Sequence, residues 1–207
     1  MSADPELLAL WTRGWALTRG VSPPVWDDGG WRIEVGAPDQ VRRFVHAEAD
    51  AAVLRRADRI TEPNVFLKVC EDEATTMACL PRGWSVKPPG FMMTLSGAMT
   101  AAPPDAEGYK VSLEQLGAVL HCRLLADDVE VARGRIVVID GAIAVYDRIS
   151  VDPGHRRRGL GRRVMRTLEG EVSTRTGVLV ATAEGRALYT SLGWTLHSHY
   201  TTAAFDG

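Results

Sequence analysis

Apolar positions recur at helical spacing in some stretches of this chain and in short runs in others. Leu7, Leu8, Trp11 and Trp15 share one face of residues 4–19, and Gly20 follows, which predicts an amphipathic helix. Residues 31–35, 41–46 and 65–70 read as strands, 47–59 as a helix and 72–80 as a short helix. Residues 84–95 read as mostly extended, with a break at Pro88-Pro89. A Pro- and Gly-rich loop covers 21–30, and residues 101–108, containing Pro103-Pro104-Asp105, read as a linker. Strands follow at 109–113, 118–126, 131–139 and 142–151. The Asp127-Asp128 and Asp140-Gly141 pairs between them are hairpin turn signals, so these strands pair antiparallel. Leu160, Val164, Leu168 and Val172 then mark one face of a helix over 159–175. An apolar strand at 177–182, a helix at 185–192 with Gly193 as its terminator, and two short strands complete the chain. Strand 142–151, the helix and the next strand form one crossover, so those two strands lie parallel. The fold class is α+β with a mixed sheet.

The turn between strand 142–151 and its helix reads Asp152-Pro153-Gly154-His155-Arg156-Arg157-Arg158-Gly159-Leu160-Gly161-Arg162. A strand, a glycine-bearing turn and a helix N-terminus make an anion site, because the first N–H groups of a helix have no partner inside it. The spacing excludes two well-known phosphate loops. Arg162 stands where a Walker loop needs Lys-Ser/Thr, and position 164 is Val where a dinucleotide fingerprint needs a third glycine. What remains is Arg-x-x-Gly-x-Gly, from Arg156 to Gly161. With Val151 and Pro153 upstream, it resembles the acyl-CoA pyrophosphate loop of the GNAT acetyltransferases. Downstream, Gly185 to Trp194 resembles the family's later helix, ending in Tyr-x-x-x-Gly-Phe/Trp at Tyr189, Gly193 and Trp194. The resemblance covers roughly residues 109–205.

It implies a GNAT-like fold and transfer of an acetyl group from acetyl-CoA to a primary amine by direct attack. Backbone N–H groups of Arg157, Arg158, Gly159, Leu160 and Gly161 are expected to hold the pyrophosphate. Arg156 and Arg158 add charge, and Arg162 or Arg163 reaches the 3′-phosphate. Backbone groups at Ile149 and Val151 are expected to pair with the pantetheine arm. Tyr189 is the candidate acid for the thiolate, or else packs a helix on the sheet. Asp147 is the candidate base, or else an ion-pair partner of Arg148, Arg133 or Arg135. Strand alternation puts Val145, Asp147, Ile149 and Val151 on one face. The arginine run has its own alternative, a solvated helix face with Glu169 as partner. His155 is expected to shape the turn. His197, His199 and Tyr200 lie near the acceptor pocket or are packing residues. Phe91, Met92, Met93 and Met99 either line that pocket or fill the core.

One departure from the family stands out. GNAT domains carry two helices between their first and second strands, and there is no room for them between Leu113 and Ala118. Residues 105–207 are therefore assigned as the GNAT-like acetyl-CoA-binding domain. Residues 1–104 form an α/β region that either covers the acceptor site or is a degenerate GNAT-like unit.

Composition narrows the partners. The 207 residues carry a net charge of −2, which argues against bulk nucleic-acid binding. Six arginines nevertheless fall between 156 and 166, which suits a small polyanion. Cys70, Cys79 and Cys122 have no metal-ligand spacing and suit a reducing compartment. None falls in the motif region, so a covalent acyl-enzyme has no support. Without a leader or a membrane-length apolar run, the chain reads as cytoplasmic, with no membrane partner. The acceptor is a small-molecule or peptide amine, no metal is expected, and a homodimer is left open. The alternative reading is a non-catalytic CoA-binding sensor or regulatory module.

Overall fold

Helix α1 (Pro5–Arg19) has the ends that its sequence specifies. The Asp4 side chain accepts the N–H groups of Glu6 and Leu7, Pro5 occupies the first turn, and Gly20 ends the helix at φ 67°. The computed structural model describes residues 2–100, 107–174 and 176–206; residues 101–106 of the expected linker lie outside them. Strands β1 (Val25–Asp27), β2 (Gly30–Ala37) and β3 (Gln40–His46) pair antiparallel in succession. Helix α2 (Ala51–Arg59) crosses to β4 (Val65–Val69), parallel to β3. Helix α3 (Glu73–Ala78) leads to β5 (Trp84–Val86) and β6 (Gly90–Ser96), two pieces of one path broken at Pro88-Pro89.

The second half opens with an antiparallel meander: β7 (Lys110–Leu116), β8 (Val119–Ala126), β9 (Val129–Ile139) and β10 (Ile143–Val151). Its Asp127-Asp128 and Asp140-Gly141 turns have positive φ at both residues, as two-residue hairpins require. Helix α4 (Leu160–Gly170) crosses to β11 (Thr176–Thr182), parallel to β10, and α5 (Ala183–Ser191) leads to β12 (Thr195–Phe205). Gly193 at φ 90° terminates α5. The N–H groups of Gly193 and Trp194 reach back to the carbonyls of Thr190 and Tyr189, a Schellman motif.

Both halves follow the same succession: hairpin, helix, parallel strand, helix, last strand. The last strands are exchanged. β12 pairs with β4 of the first half, β6 pairs with β11 of the second, and β6 and β12 pair with each other. The strands therefore form one mixed sheet in the order β1-β2-β3-β4-β12-β6-β11-β10-β9-β8-β7, with β5 against β12.

Neighbouring residues on the central strands point to opposite faces. Val145, Met92 and Val178 pack with Leu8, Trp11 and Trp15 of α1. Tyr146, Met93 and Leu179 pack with Leu160, Val164 and Leu168 of α4. Phe44, Leu67 and Ala203 pack beneath Val53 and Ala57 of α2.

Several boundaries differ from expectation. Helix 47–59 begins only at Ala51, because Asp50 caps it. Helix 159–175 ends at Gly170. The stretch read as a loop at 21–30 holds β1, and the two short terminal strands are one strand with a bulge between Leu196 and Ser198.

Candidate functional site

Asp152 Oδ1 accepts the N–H of Gly154 at 2.9 Å and starts the turn between β10 and α4. Arg157 (φ 61°) and Gly159 (φ 80°) both adopt the left-handed conformation, and a Cβ on Gly159 would meet nothing within 4 Å. Gly159 is the N-cap of α4, and no side chain caps this end. The N–H groups of Leu160, Gly161 and Arg162 thus lack intrahelical acceptors and present the positive end of the helix dipole. Arg156, Arg157 and Arg158 are exposed around them, and Arg162 is half-buried. Arg158 also braces the turn, donating to the Tyr109 hydroxyl at 3.3 Å and to the Gly154 carbonyl at 3.2 Å. His155 stacks edge-on against Tyr109, as a turn-shaping residue would. Arg166 lies 3.9 Å from Glu169 and donates to the carbonyls of Met99 and Thr100, so it is tied to the chain after β6. Gly161 is enclosed: a Cβ there would lie 2.9 Å from Leu188 Cδ2, so its bare backbone makes room for α5.

β10 and β11 pair only at Ala144 and Val145, although β10 runs to Val151 and β11 to Thr182. Beyond Val145 the two edges diverge. β10 also carries a bulge: its register against β9 shifts between Asp147 and Ser150, and Arg148 sits at φ 54°. The bulge overturns the expected common face, because one extra residue reverses the alternation. Val145 and Asp147 face α1, while Ile149 and Val151 pack on the α4 side. Ser150 and Val151 remain paired to β9, so the other edge of this segment is the unpaired one.

Among the described residues Asp147 forms no ion pair with any of its three anticipated arginine partners, although the Arg148 backbone bonds it and Arg135 lies opposite it on β9. Both its oxygens are held by Arg19, Nε at 2.5 Å and Nη2 at 2.9 Å, and Thr18 Oγ1 donates at 2.9 Å. Burial opposes its ionisation, but the hydrogen bonds and charge of Arg19, with help from Thr18, outweigh that and hold its pKa below the usual range. Arg135 instead donates to the Thr18 carbonyl and steadies the end of α1. Tyr189 is buried on the α5 side. Burial first, and the charge of Asp147 second, push its pKa well above the ordinary phenol value, so it keeps its proton.

A cavity of 220 Å³ lies at the C-terminal end of α1 and reaches the divergent strand ends through Asp147, Val180, Ala181 and Thr182. Its other lining comes largely from the first half: Trp11, Trp15, Arg19, Arg43, Lys68 and the Pro88–Gly90 break, with Tyr200 and Thr202 of β12. Arg43 stacks on the Trp15 ring at 3.7 Å, with Arg19 4.9 Å from the same ring. Lys68 Nζ donates to Thr202 Oγ1 at 2.8 Å. Burial, then the charges of Arg43 and Arg19, push the Lys68 pKa down to about 7. Arg43, Lys68 and Arg19 carry no motif and were not legible as site residues; only their position on the fold brings them together.

A second cavity, of 420 Å³, lies beyond Pro89 and Gly90 among Asp72, Glu73, Lys87, Phe91 and His199, and touches neither β10 nor the arginine loop. Phe91, Met92, Met93 and Met99 are core residues. His197 Nε2 accepts the Asp4 N–H, and His199 packs against Phe91. Among the described residues no three His, Cys, Asp or Glu side chains gather as metal ligands, and no helix is long and apolar enough to cross a membrane.

The first-half counterpart of the loop is closed. β3 and β4 stay paired from Arg42 to His46, and Asp50 Oδ1 takes the N–H groups of Ala52 and Val53 at the start of α2.

Residues 120–196 match the model of the acetyltransferase (GNAT) domain. A GCN5-related N-acetyltransferase from Kribbella flavida superposes with a TM-score of 0.65 at 13% identity, over 93% of this chain and 92% of that one. A GNAT-family protein from Novosphingobium aromaticivorans gives 0.60 at 16% identity, over 96% and 97%. A tandem GNAT protein from the clavulanic acid biosynthesis pathway gives 0.56 at 15% identity, over 86% and 79%. At these identities the likeness is one of fold. No curated protein matches the chain. The chain has the mixed-sheet α+β fold of the GNAT acetyltransferases, the match to the GNAT domain model falls in its C-terminal half, and the tandem neighbour fits a two-unit arrangement.

Proposed function

We propose that this GNAT-fold chain is an acetyl-CoA-dependent N-acetyltransferase whose acceptor is the primary amine of a small molecule or peptide. One observation carries the reading: the uncapped, arginine-rimmed N-terminus of α4 stands at the end of a bulged strand whose edge has parted from its neighbour. A diphosphate fits the first and an extended amide-bearing arm fits the second. The N–H groups from Arg157 to Gly161 hold the pyrophosphate, with Arg156, Arg158 and Arg162 adding charge. The edge at Ile149 and Val151 offers backbone groups to the pantetheine arm. Acetyl-CoA supplies a thioester carbonyl open to attack by an amine.

In the overall transfer the amine nitrogen bonds to the acetyl carbon, the carbon–sulfur bond breaks, and one proton passes from nitrogen to sulfur. The cavity at Asp147 opens onto the same strand divergence and receives the acceptor. Asp147, with its lowered pKa, accepts a hydrogen bond from the incoming ammonium and orients it without retaining its proton. The proton leaves through the cavity to water. Tyr189, protonated and buried, donates to the departing thiolate. The second proton that the nitrogen loses on forming the amide restores the phenol, so that one proton passes to water and one, in sum, to sulfur. The free thiols of Cys70, Cys79 and Cys122 suit the cytoplasm.

The test is acetyl-CoA binding by calorimetry, followed by thiol release with a library of amines. Tyr189→Phe should keep the binding and lower turnover roughly 10²-fold. The rival, a CoA-binding sensor, draws on the occupation of both Asp147 oxygens by Arg19. It predicts acetyl-CoA binding without thiol release for any amine.

A further inference from the structure

The cavity at the end of α1 has an unusual charge balance. Three cationic side chains line it, Arg19, Arg43 and Lys68, against one carboxylate, Asp147, whose oxygens are already held by Arg19. Arg43 and Lys68 are 8% and 9% exposed, so water screens them poorly. Lys68 has one hydroxyl, Thr202 Oγ1, and the Phe66 ring at 5.1 Å for company, but no carboxylate, and the nearby charges of Arg43 and Arg19 oppose its own. Arg43 bonds the Gln40 side chain through Nη2, but its Nε has no hydrogen-bond partner among the described residues. The Tyr200 hydroxyl, 4% exposed, interacts with Arg43 through both its charge and a hydrogen bond, and no acceptor for its own proton is found among the described residues. Unmatched buried donors and uncompensated buried cations each cost free energy unless a ligand completes them.

We infer that the acceptor amine carries a carboxylate, which Arg43, Lys68 and Tyr200 hold while its amino group faces Asp147 at the divergence of β10 and β11. This deepens the acetyltransferase reading and rests on it. A carboxylate offers about four acceptor sites, enough for a guanidinium N–H, an ammonium N–H and a phenol together. The same cavity treats the two ends of the molecule oppositely, since Asp147 is its one anionic lining residue. A diamine or a neutral amine leaves Arg43 and Lys68 uncompensated, since Asp147 already pairs with Arg19. The indoles of Trp11 and Trp15 form the wall between the two ends, and the 220 Å³ volume suits a small amino acid derivative. The first half of the chain therefore contributes specificity: Arg43 and Lys68 come from β3 and β4, strands of the unit whose own helix end is closed.

The experiment pairs amino carboxylates with their carboxamides, from glycine and β-alanine to L-phenylalanine and L-glutamate. Binding to the full chain is measured by calorimetry with and without saturating acetyl-CoA. At least one carboxylate should bind about tenfold or more tightly than its carboxamide, the effect of a charge-assisted contact. Lys68→Met and Tyr200→Phe should each reduce that ratio and leave acetyl-CoA affinity within about threefold. Tyr200→Phe removes a single oxygen, so it decides the matter if Lys68→Met does not fold. The inference is overturned if no carboxylate binds, if carboxamides bind equally well, or if the ratio survives in every folded variant. Carboxylate preference without any acetyl-CoA binding would instead sink the acetyltransferase reading and leave an amino-acid site.

Discussion

The two parallel crossovers of this chain, β3-α2-β4 and β10-α4-β11, share a topology and differ where strand meets helix. In the first, the strands stay paired from Arg42 to His46 and Asp50 occupies the N–H groups that α2 presents. In the second, pairing ends at Val145, and Gly159 leaves the N-terminus of α4 without a side-chain cap. A cap of the first kind stabilises a helix by about 1 kcal/mol and fills the place an anion would take. The second unit forgoes that contribution and surrounds the vacant N–H groups with arginines. A helix end open to an anion thus depends as much on an absent cap as on positive charge. The comparison also separates duties: one unit leaves its helix end uncapped among arginines, while the other directs Arg43 and Lys68 into a cavity beside it.

The most drastic way to break the comparison is to separate the units. A fragment of residues 107–207 lacks β4, β5 and β6, so β11 loses one neighbour and β12 loses all three of its partners. It should show no cooperative thermal transition by circular dichroism; a cooperative melt with acetyl-CoA binding would show that the second unit stands alone.

Next in size is converting the loop of one unit into that of the other. Gly159→Asp places a carboxylate at the N-cap of α4, as Asp50 does for α2. Acetyl-CoA affinity should fall roughly 10²-fold, and less in Gly159→Asn, which has the shape without the charge. Calorimetry that finds the two variants equal would remove electrostatics from the account.

A smaller effect is expected at the joint between α1 and β10. Asp147→Asn leaves Arg19 without its counter-charge and should cost roughly 1–3 kcal/mol of stability at neutral pH. The folded pKa of Asp147 lies below its unfolded value near 3.8. Its contribution is therefore present above about pH 4 and lost as pH falls through the lower folded value. Denaturant unfolding at pH 7 and pH 3 should show the variant losing less on acidification than the original chain.

The smallest effect sharpens the role of the second loop glycine. Gly161→Ala presses on Leu188, so the melting temperature should drop by a few degrees, roughly the effect of a 1 kcal/mol overpacking. Acetyl-CoA affinity should stay within about threefold. A large loss of affinity in a well-folded Gly161→Ala would return this glycine to direct ligand approach.

What the amino-acid order determined by itself is local. The Gly20 stop of α1, the two positive-φ hairpin turns, the Arg156–Gly161 loop and the Gly193 terminator each depend on residues within one or two turns of chain. Steric and hydrogen-bonding rules act at that range, so these features could be read without a fold. Tertiary structure decided the rest. The bulge at Arg148 sends Asp147 and Ile149 to opposite faces, which alternation alone could not foresee. Arg19 reaches Asp147 across 128 positions and Lys68 reaches Thr202 across 134. The exchange of β6 and β12 builds the cavity wall from both halves. Such contacts arise when distant strands pair, and any one residue in them looks like an ordinary surface arginine or lysine until the sheet closes around it.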